Sequence, residues 1–553
     1  MVLSMRTDLL LRRLARLIWI NMNGGLKFVN RRMYMFDYAR LRSLHRGEFA
    51  CLLELLSRLG YNELGLYLEG AFQAGTQIGA VRDAVITQED ADWILAEADT
   101  YGIHVVPMTN VLYHMEHWLC QEQYAYLRRC SSYERYLINF EDPGAVSFAL
   151  EIICSLSKMF HADTVQIGLD EFPFRPEEIP AIGTYIADVT TKMLEKGLKP
   201  AVWGDMFWME QSLTQYLPKV TEIYDWNYYG HRPESLHYFR EAGFAQVIAV
   251  PSDNGWEGFT GCQRVTGYLR SRTDISVDPG EIEAFLQDAV DENADGAMIA
   301  NWENTVGRSI WAALAPMARA GLWMQGKWNT KLSEEEQTEF ALFGRITPYT
   351  GIVQTLRVLQ MHVSGKCHIR LPQDALYRKE SMLSLLNQPA GFWTDTIALY
   401  EVKLPQMENT LAEWTPQGDV EQYAYLAIKS VLTNVRAALM FMHFSQSREI
   451  YRKAAEVQFT DSVLYVEYLM NVEEALGRAV ASLRDSRRVR EEAIADTGIT
   501  RQDLIWQERL VAYLFALKEK LHGFREGSAS AVSLPCFTEF LYSWEFGEGG
   551  LVL

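Results

Sequence analysis

The chain has 553 residues, which is more than one hydrophobic core usually supports, so we expect two or more domains. Its apolar content of 48% and charged content of 22% are ordinary for a soluble globular protein. The formal net charge of −19 argues against a surface of clustered lysine and arginine, which nucleic-acid binding requires.

The seven cysteines are dispersed, with no CxxC pair and no metal-ligand spacing, which predicts reduced thiols in a cytoplasmic protein. Residues 1–29 contain an apolar run that Arg12, Arg13 and Arg16 interrupt. This pattern predicts an amphipathic lead-in helix rather than a secretory signal. No uncharged apolar stretch is long enough to predict a membrane span.

Short apolar strands alternate with amphipathic helices from residue 30 to residue 328. The predicted strands, in chain order, are Tyr34–Asp37, Leu64–Glu69, Ile103–Thr109, Thr164–Asp170, Ala201–Gly204, Thr221–Asp225, Gln246–Val250 and Ala297–Trp302. Eight strand–helix units in about 300 residues indicate an α/β fold, a closed (β/α)₈ TIM barrel. An open doubly wound sheet is the competing architecture, but no glycine-rich phosphate turn supports it.

Helical periodicity replaces the strand pattern in residues 329–553, which predicts an all-helical C-terminal domain. One stripe of apolar positions recurs at helical spacing: Ala424, Ile428, Val431, Leu432, Val435, Ala438, Leu439 and Met442. Segments near 461–495 and 501–522 have similar patterns. We expect these stripes to pack on the barrel or on a second copy of the chain, as a homodimer.

Polar side chains collect at the ends of the predicted strands, where barrel enzymes build their active sites. They are Glu69, Asn110, Asp170, Glu171, Asp205, Asp225, Asp253 and Glu303. Loops after strands are polar in most proteins, but here aromatic rings accompany them. Those rings, which can stack on sugars, are Tyr113, Trp203, Trp208, Trp226, Tyr228, Tyr229, Trp256 and Trp302.

The fourth predicted strand ends in two adjacent carboxyl groups, Asp170 and Glu171. Strand alternation places Val165, Ile167 and Leu169 toward the helices, which leaves Asp170 at the rim of the barrel. Adjacent carboxylates repel each other, and this raises the pKa of one of them. A protonated acid beside an ionised partner suits the cleavage of a glycosidic bond.

The sequence Ile167-Gly-Leu-Asp-Glu171 resembles the strand-end motif of glycoside hydrolase family 20, the β-N-acetylhexosaminidases. Other segments resemble that family in the same order along residues 30–325. They are 32–40 at the first strand, 64–72 at the second, 109–116 at the third, and the later strand ends at 203–206, 225–229 and 301–304. Two departures stand out: Tyr113 occupies a position where glycine is common, and only about 30 residues precede the barrel.

The resemblance implies an exo-acting, retaining reaction in which the substrate's own 2-acetamido group is the nucleophile. Glu171 would be the general acid and then the general base, and Asp170 would hold and polarise the acetamido group. Tyr228 or Tyr229 would donate to the acetamide oxygen. The expected substrate is a glycan with terminal GlcNAc or GalNAc, and no cofactor or metal is expected.

The resemblance also implies a sugar-binding set around this pair. Trp203, Trp256 and Trp302 would form the wall of the pocket, and Arg32 and Glu303 would bind the outer hydroxyl groups of the sugar. Glu69, His114, Asp205 and Asp225 complete the predicted set.

Several alternatives stay open from the sequence. Arg32 is otherwise a surface charge beside Arg31, and His114 is otherwise a structural histidine or a partner of a carboxylate such as Glu69. Asp205 and Asp225 either touch the substrate or brace the site. His114, Glu116 and His117 lack the spacing of a zinc helix.

Two other functions also remain. One is a retaining barrel glycosidase whose nucleophile is a carboxylate such as Asp253 or Glu303. The other is a barrel that binds carbohydrate without catalysis.

Overall fold

The computed structural model describes most of the barrel and part of the helical region. The described residues are 29–39, 44–74, 85–129, 137–228, 230–253, 281–302, 310–312, 314–329, 332–367, 385, 388–389, 391–457, 460–474, 477, 481, 519, 522–523 and 525–526. The predicted lead-in helix at 1–29 lies almost entirely outside them. So do the segment 501–522, apart from 519 and 522, and most of 475–495.

Eight parallel strands close into one barrel, and each strand pairs with the next along the chain until the eighth pairs with the first. The strands are β1 (Arg31–Asp37), β2 (Glu63–Tyr67), β3 (His104–Met108), β4 (Thr164–Gln166), β5 (Lys199–Trp203), β6 (Glu222–Trp226), β7 (Gln246–Val250) and β8 (Gly296–Asn301). The predicted (β/α)₈ barrel is therefore confirmed, and the open doubly wound sheet is wrong.

Helices surround the barrel and bury their apolar faces against the outer side of the strands. They are α1 (Arg46–Arg58), α2 (Gln88–Thr100), α3 (Glu116–Leu119), α4 (Ala145–Phe160), α5 (Ile179–Glu195), α6 (Asp205–Met209), α7 (Pro233–Glu241), α8 (Glu281–Asp291) and α9 (Leu314–Met324). Short 3₁₀ helices lie at Glu122–Leu127, Pro176–Glu178, Gln211–Tyr216 and Ile310–Ala312.

Methionine side chains fill the interior of the barrel around a glycine of β2. A Cβ atom on Gly65 would lie 2.8 Å from the sulfur of Met108 and 3.3 Å from those of Met33 and Met298. Because these thioethers occupy the space of the absent side chain, four strands pack closely at this level. The interior is therefore a packed core, as in other small barrels.

An ion-pair network closes the barrel below this layer, at the N-terminal ends of the strands. Arg31 Nε lies 2.8 Å from Glu63 Oε1, and its Nη1 lies 2.9 Å from Glu222 Oε2. Arg31 Nη1 also donates to Gln246 Oε1 at 3.3 Å. One guanidinium group thus connects β1 with β2, β6 and β7 at the floor of the barrel.

The helical region continues from the last barrel helix. It contains α10 (Glu334–Phe343), α11 (Tyr349–Cys367), α12 (Thr394–Glu413) and α13 (Asp419–Val457), and a further helix at 462–474. The apolar stripe predicted from Ala424 to Met442 lies on α13, and all eight of its side chains are buried. None of the described helices is both long enough and apolar enough to cross a membrane.

Helix α13 packs against the 3₁₀ helix Ile310–Ala312, which in turn bonds to the first barrel helix, α1. The rings of Trp311 and Tyr423 stack with centroids 5.0 Å apart, and Trp311 Nε1 donates to Glu48 Oε1 at 2.6 Å. These contacts bury part of the helical region on the barrel, which is one of the two outcomes expected from the sequence. A homodimer stays a prediction, which light scattering of the full chain can test.

Tyr423→Ala should destabilise the full chain, because it removes the ring that stacks on buried Trp311 between the two regions. We expect a loss of about 1–3 kcal/mol in the free energy of unfolding, measured by urea denaturation. Tyr126→Ala is the matched control, since Tyr126 is 59% exposed. Equal effects of the two substitutions would show that the Trp311–Tyr423 contact does not stabilise the structure.

Candidate active site

The predicted fourth strand stops earlier than its apolar pattern indicates. Regular strand geometry ends at Gln166, because Gly168, Leu169 and Glu171 adopt left-handed backbone conformations with φ of 79°, 71° and 49°. The backbone still bonds to both neighbouring strands. Val111 N donates to Ile167 O at 3.2 Å and Trp203 N donates to Gly168 O at 3.0 Å. The turn is therefore fixed on both sides.

Gly168 is required for this turn by conformation and by space. Its φ of 79° is a region that side-chain-bearing residues rarely adopt. A Cβ atom there would lie 2.1 Å from Asn110 Oδ1. The glycine therefore lets the end of β3 approach the end of β4 closely.

The two adjacent carboxyl groups reach different surroundings. The side chain of Asp170 is 14% exposed and that of Glu171 is 56% exposed. Asp170 Oδ1 is buried, with no hydrogen-bond partner among the described residues. One carboxyl thus faces the interior of the site while its neighbour faces the open mouth.

His114 lies in the loop after β3 and faces the carboxyl groups of Asp170 and Glu171. Its Nε2 atom lies 3.3 Å from Glu171 Oε2 and 3.8 Å from Asp170 Oδ2. The ring centroids of Tyr113 and His114 are 4.5 Å apart. His114 therefore contacts the central pair and can orient the carboxyl of Glu171.

Burial raises the pKa of Asp170. The positive charge that His114 carries when protonated opposes this shift, and the negative charges of Glu171 and Glu69 add to it. Burial also raises the pKa of Asp205, and the neighbouring Asp170 raises it further. The site thus combines poorly solvated carboxyls with one exposed carboxyl, an arrangement typical of acid–base chemistry.

Aromatic side chains from four strand ends line the mouth next to these carboxyls. The ring of Trp302 lies 5.9 Å from that of Trp203 and 4.8 Å from that of Tyr67. Trp302 Nε1 donates to the hydroxyl oxygen of Tyr228 at 2.7 Å. A further ring contact joins Tyr228 to Trp226, with centroids 5.0 Å apart.

The hydroxyl group of Tyr228 is poised as a hydrogen-bond donor. Burial raises its pKa, so it stays protonated at neutral pH. Because its oxygen already accepts the bond from Trp302, its proton can point toward a ligand. Of the two tyrosines that the sequence left open, Tyr228 lies in this mouth and Tyr229 lies outside the described residues.

Glu69 is occupied by protein partners. It is 2% exposed; Tyr67 donates to its Oε1 at 2.8 Å, and His117 Nε2 lies 3.0 Å from its Oε2. Asn110 Nδ2 in turn donates to the hydroxyl oxygen of Tyr67 at 2.7 Å. His117 thus lies beside Glu69, and the carboxylate that His114 approaches is that of Glu171.

Sequence reasoning missed the role of His117. The only sign of it is its spacing: His117 follows His114 by three residues and lies in helix α3. The two histidines approach different carboxylates, so they do not converge on one metal ion. His114, Asp170 and Glu171 do place three potential ligand atoms within 4.8 Å of one another.

Three predicted residues lie away from the mouth. Arg32 is near the N-terminal end of β1, where its guanidinium donates to the backbone oxygens of Gly60 and Val29. The prediction that Arg32 binds the sugar is wrong, because the site lies at the opposite ends of the strands.

Asp225 and Asp253 both face the helices. Asp225 is fully buried and pairs with Arg232, with an Nη2–Oδ1 distance of 2.6 Å. Asp253 accepts hydrogen bonds from Tyr34 at 2.7 Å and from Asn301 at 2.8 Å. The prediction that Asp225 binds substrate is therefore wrong, and so is the alternative in which Asp253 is a nucleophile.

The remaining predicted residues divide into two groups. Asp205 lies at the mouth, where its Oδ2 accepts the backbone N–H of Glu171 at 3.1 Å. Trp256 and Glu303 lie outside the described residues. The structure thus brings together Asp170, Glu171, His114, Asp205, Trp203, Trp302 and Tyr228.

This arrangement defines a (β/α)₈ barrel with a carboxylate- and tryptophan-lined mouth at the C-terminal ends of its strands. No protein-family model and no curated protein matches the chain. Solved structures do match it. A β-N-acetylhexosaminidase from Bacteroides fragilis NCTC 9343 is 20% identical, with 53% of this chain and 65% of that chain covered and a TM-score of 0.43.

Two further matches have similarly low scores. A GH20 exo β-N-acetylglucosaminidase from Vibrio harveyi, in complex with N-acetylglucosamine, is 18% identical over 56% of this chain and 55% of that chain, with a TM-score of 0.41. A GH138 enzyme targeting pectin rhamnogalacturonan II is 10% identical over 92% of this chain and 71% of that chain, with a TM-score of 0.45. The chain thus spans less than two thirds of the first two proteins. Likenesses this distant do not decide which reaction the chain catalyses.

Asp170→Asn should stabilise the protein at neutral pH. The pKa of Asp170 is raised in the folded state, so the unfolded chain ionises first as the pH rises, and folding then carries the cost of a buried charge. Below the ordinary aspartate pKa of about 4 both states are protonated and the cost disappears. We therefore expect the thermal midpoint of the variant to exceed that of the wild type by about 1–3 °C at pH 7.5, with the difference vanishing near pH 4.

The matched control is Asp188→Asn, which changes an exposed carboxyl on α5. It should show no such pH-dependent difference in scanning calorimetry. A midpoint for Asp170→Asn below that of the wild type at pH 7.5 would contradict the assignment of Asp170 as a costly buried charge.

Proposed function

We propose that the chain is an exo-acting, retaining β-N-acetylhexosaminidase that hydrolyses terminal GlcNAc or GalNAc with the substrate's 2-acetamido group as nucleophile. One observation carries the proposal: two adjacent carboxyls with unequal exposure, Asp170 and Glu171, lie at the end of β4 in an aromatic mouth. The resemblance of Ile167–Glu171 to the family 20 motif supports the same assignment.

Glu171 is the proton donor. Its exposed side chain can reach the oxygen of the glycosidic bond, and His114 lies within 3.3 Å to orient it. Its proton passes to that oxygen as the bond from the anomeric carbon to the leaving group breaks. In the second step Glu171 removes a proton from the water that attacks the same carbon.

Asp170 and Tyr228 hold the acetamido group from opposite ends. Ionised Asp170 accepts the acetamide N–H, which increases the electron density on the carbonyl oxygen that attacks the anomeric carbon. Tyr228 donates to that oxygen, with its hydroxyl oriented by the bond from Trp302. Positive charge then develops on the cyclised acetamide next to Asp170, where a buried carboxylate stabilises it strongly.

The aromatic rings give the pocket its shape. Trp203 and Trp302 form neighbouring walls, since their ring centroids are 5.9 Å apart. Flat rings suit the apolar face of a sugar and the methyl group of the acetamide. Arg32 no longer supports the exo-specific part of the proposal, because it lies at the opposite ends of the strands. That part therefore depends on Glu303, which lies outside the described residues.

The two rival functions make different demands. Of the two nucleophilic carboxylates named from the sequence, Glu303 remains a candidate, since Asp253 faces the helices. A binding barrel needs no proton donor at all. Hydrolysis of an aryl N-acetylglucosaminide, compared with the matching aryl glucoside, separates all three: only the proposed reaction requires the acetamido group, and a binding barrel turns over neither substrate.

A stable thiazoline analogue of the cyclised acetamide should inhibit the enzyme far more strongly than free N-acetylglucosamine. It resembles a high-energy intermediate, and such analogues bind about 10²–10⁸-fold more tightly than substrates. Inhibition constants from steady-state kinetics on the aryl substrate measure this. Equal inhibition by the two compounds would exclude catalysis by the acetamido group.

Substitution of the pair should separate the two roles. Glu171→Gln should slow the hydrolysis of a disaccharide by about 10²–10⁴-fold, the usual loss when general acid catalysis is removed. It should slow bond breaking in an aryl glycoside with an acidic phenol much less. Asp170→Asn should slow both substrates by similar factors, because charge develops on the acetamide with either leaving group.

Glu177→Gln is the control for these variants, since Glu177 is exposed in the loop after the pair, and it should behave as the wild type. The assigned roles are wrong if both active-site variants respond alike to the acidity of the leaving group. They are also wrong if either variant keeps wild-type activity on the disaccharide.

A further inference from the structure

Asp205 is a buried carboxyl group that the proposed reaction does not use. It is 6% exposed and follows β5 at the start of the five-residue helix α6. Its Oδ2 accepts the backbone N–H of Glu171 at 3.1 Å, and the side chain of Trp226 also hydrogen-bonds to it. Its Oδ1 is buried, with no hydrogen-bond partner among the described residues. A buried carboxylate in this position needs a reason.

The backbone of the pair explains why a side chain must bind here. Bonds between β4 and β5 continue as far as Gly168, which accepts from Trp203 N. Beyond it the chain turns through left-handed conformations at Leu169 and Glu171, so the strand-to-strand pattern cannot continue. Asp205 therefore supplies the acceptor for the N–H of Glu171 that a regular strand would have received from its neighbour.

The peptide that Asp205 holds is the one that joins Asp170 to Glu171. A left-handed conformation at a glutamate is strained and persists only when its surroundings fix it. This conformation directs Glu171 to the mouth, where it is 56% exposed, while Asp170 stays at 14%. The difference in exposure between the two carboxyls thus depends on a fixed peptide between them.

Burial and the neighbouring charge of Asp170 both raise the pKa of Asp205. The groups that face Asp170 are Glu171 next to it in the turn, Glu69 after β2, His114 after β3, Asp205 after β5 and Tyr228 after β6. Among the carboxylates, Asp205 is held within one peptide unit of Asp170 by its bond to Glu171 N. Like charges so close disfavour simultaneous ionisation, so Asp205 keeps its proton more readily while Asp170 is ionised.

We propose that Asp205 is a positioning residue of the active site: its carboxylate holds the Asp170–Glu171 peptide in the strained turn and thereby gives the two carboxyls their separate directions. This inference rests on the proposed function for its consequence in catalysis. The hydrogen bond itself can be tested without any activity.

The first test is amide hydrogen exchange of the full chain, followed by mass spectrometry of peptides that cover residues 167–174. Asp205→Ala removes the acceptor, so exchange in this segment should become at least about tenfold faster, as expected when a fixed N–H is released. Asp205→Asn keeps an oxygen that can accept the bond and should retain most of the protection. Unchanged exchange in Asp205→Ala overturns the proposal, whatever the enzyme hydrolyses.

The second test is kinetic. Asp205→Ala should lower kcat on a disaccharide by about 10²-fold with little change in KM, because loss of the positioning of both carboxyls affects the transition state more than binding. Asp205→Asn should recover most of that loss.

Asp288→Asn is the matched control for a general structural effect. Asp288 is a buried carboxyl on the outer helices, where it accepts the backbone N–H of Arg232 at 2.7 Å. Asp288→Asn should lower the free energy of unfolding without changing kcat, KM or the pH dependence of activity. If Asp205→Ala matches this control, or if Asp205→Asn recovers none of the lost kcat, Asp205 has no positioning role. Loss of protection in a chain with no hexosaminidase activity would refute the proposed function and leave the held peptide established.

Discussion

Ionising a carboxyl group away from water costs free energy unless hydrogen bonds or opposite charges replace its hydration. The end of β4 places one such group, Asp170, next to Glu171, a residue that keeps its contact with solvent. In a regular strand, neighbours in sequence point to opposite faces of the sheet. The left-handed turn after Gln166 instead keeps both carboxyl groups at the site, one buried with a raised pKa and the other exposed.

That turn depends on closure of the whole barrel. Gly168 fits because Asn110 of the β3 end occupies the space of its missing side chain, and its carbonyl is held by the backbone of β5. The aromatic side of the mouth is built in the same way, with Trp302 after β8 bonded to Tyr228 after β6. Each part of the site is thus braced by an element distant in sequence, and an isolated strand–helix unit would hold none of it.

The sequence predicted the barrel well because alternation of strands and helices is a local property of the chain. Strand β7 was placed at its observed bounds, and Val165, Ile167 and Leu169 face the helices as alternation requires.

The site was only partly predictable. Arg32 was misplaced because it lies at the start of β1, and register with β8 rather than residue type decides which end of the barrel a side chain reaches. The prediction for Asp225 was wrong because strand alternation points its side chain outward, toward Arg232. The pairing of Glu69 with His117 could not be predicted from the sequence. His114 and His117 are three residues apart, and only the folded loop decides which of them reaches Glu69.

The packed N-terminal end of the barrel limits how molecules can enter and leave the site. Arg31 with its glutamate partners, and the methionine layer above it, fill the barrel from below. In the proposed reaction, sugar, departing alcohol and incoming water would therefore share the mouth at the other end. In a reaction that breaks a bond and then hydrolyses the intermediate from the same face of the sugar, the shared mouth fixes the order of events. The alcohol has to leave before the water can take its place.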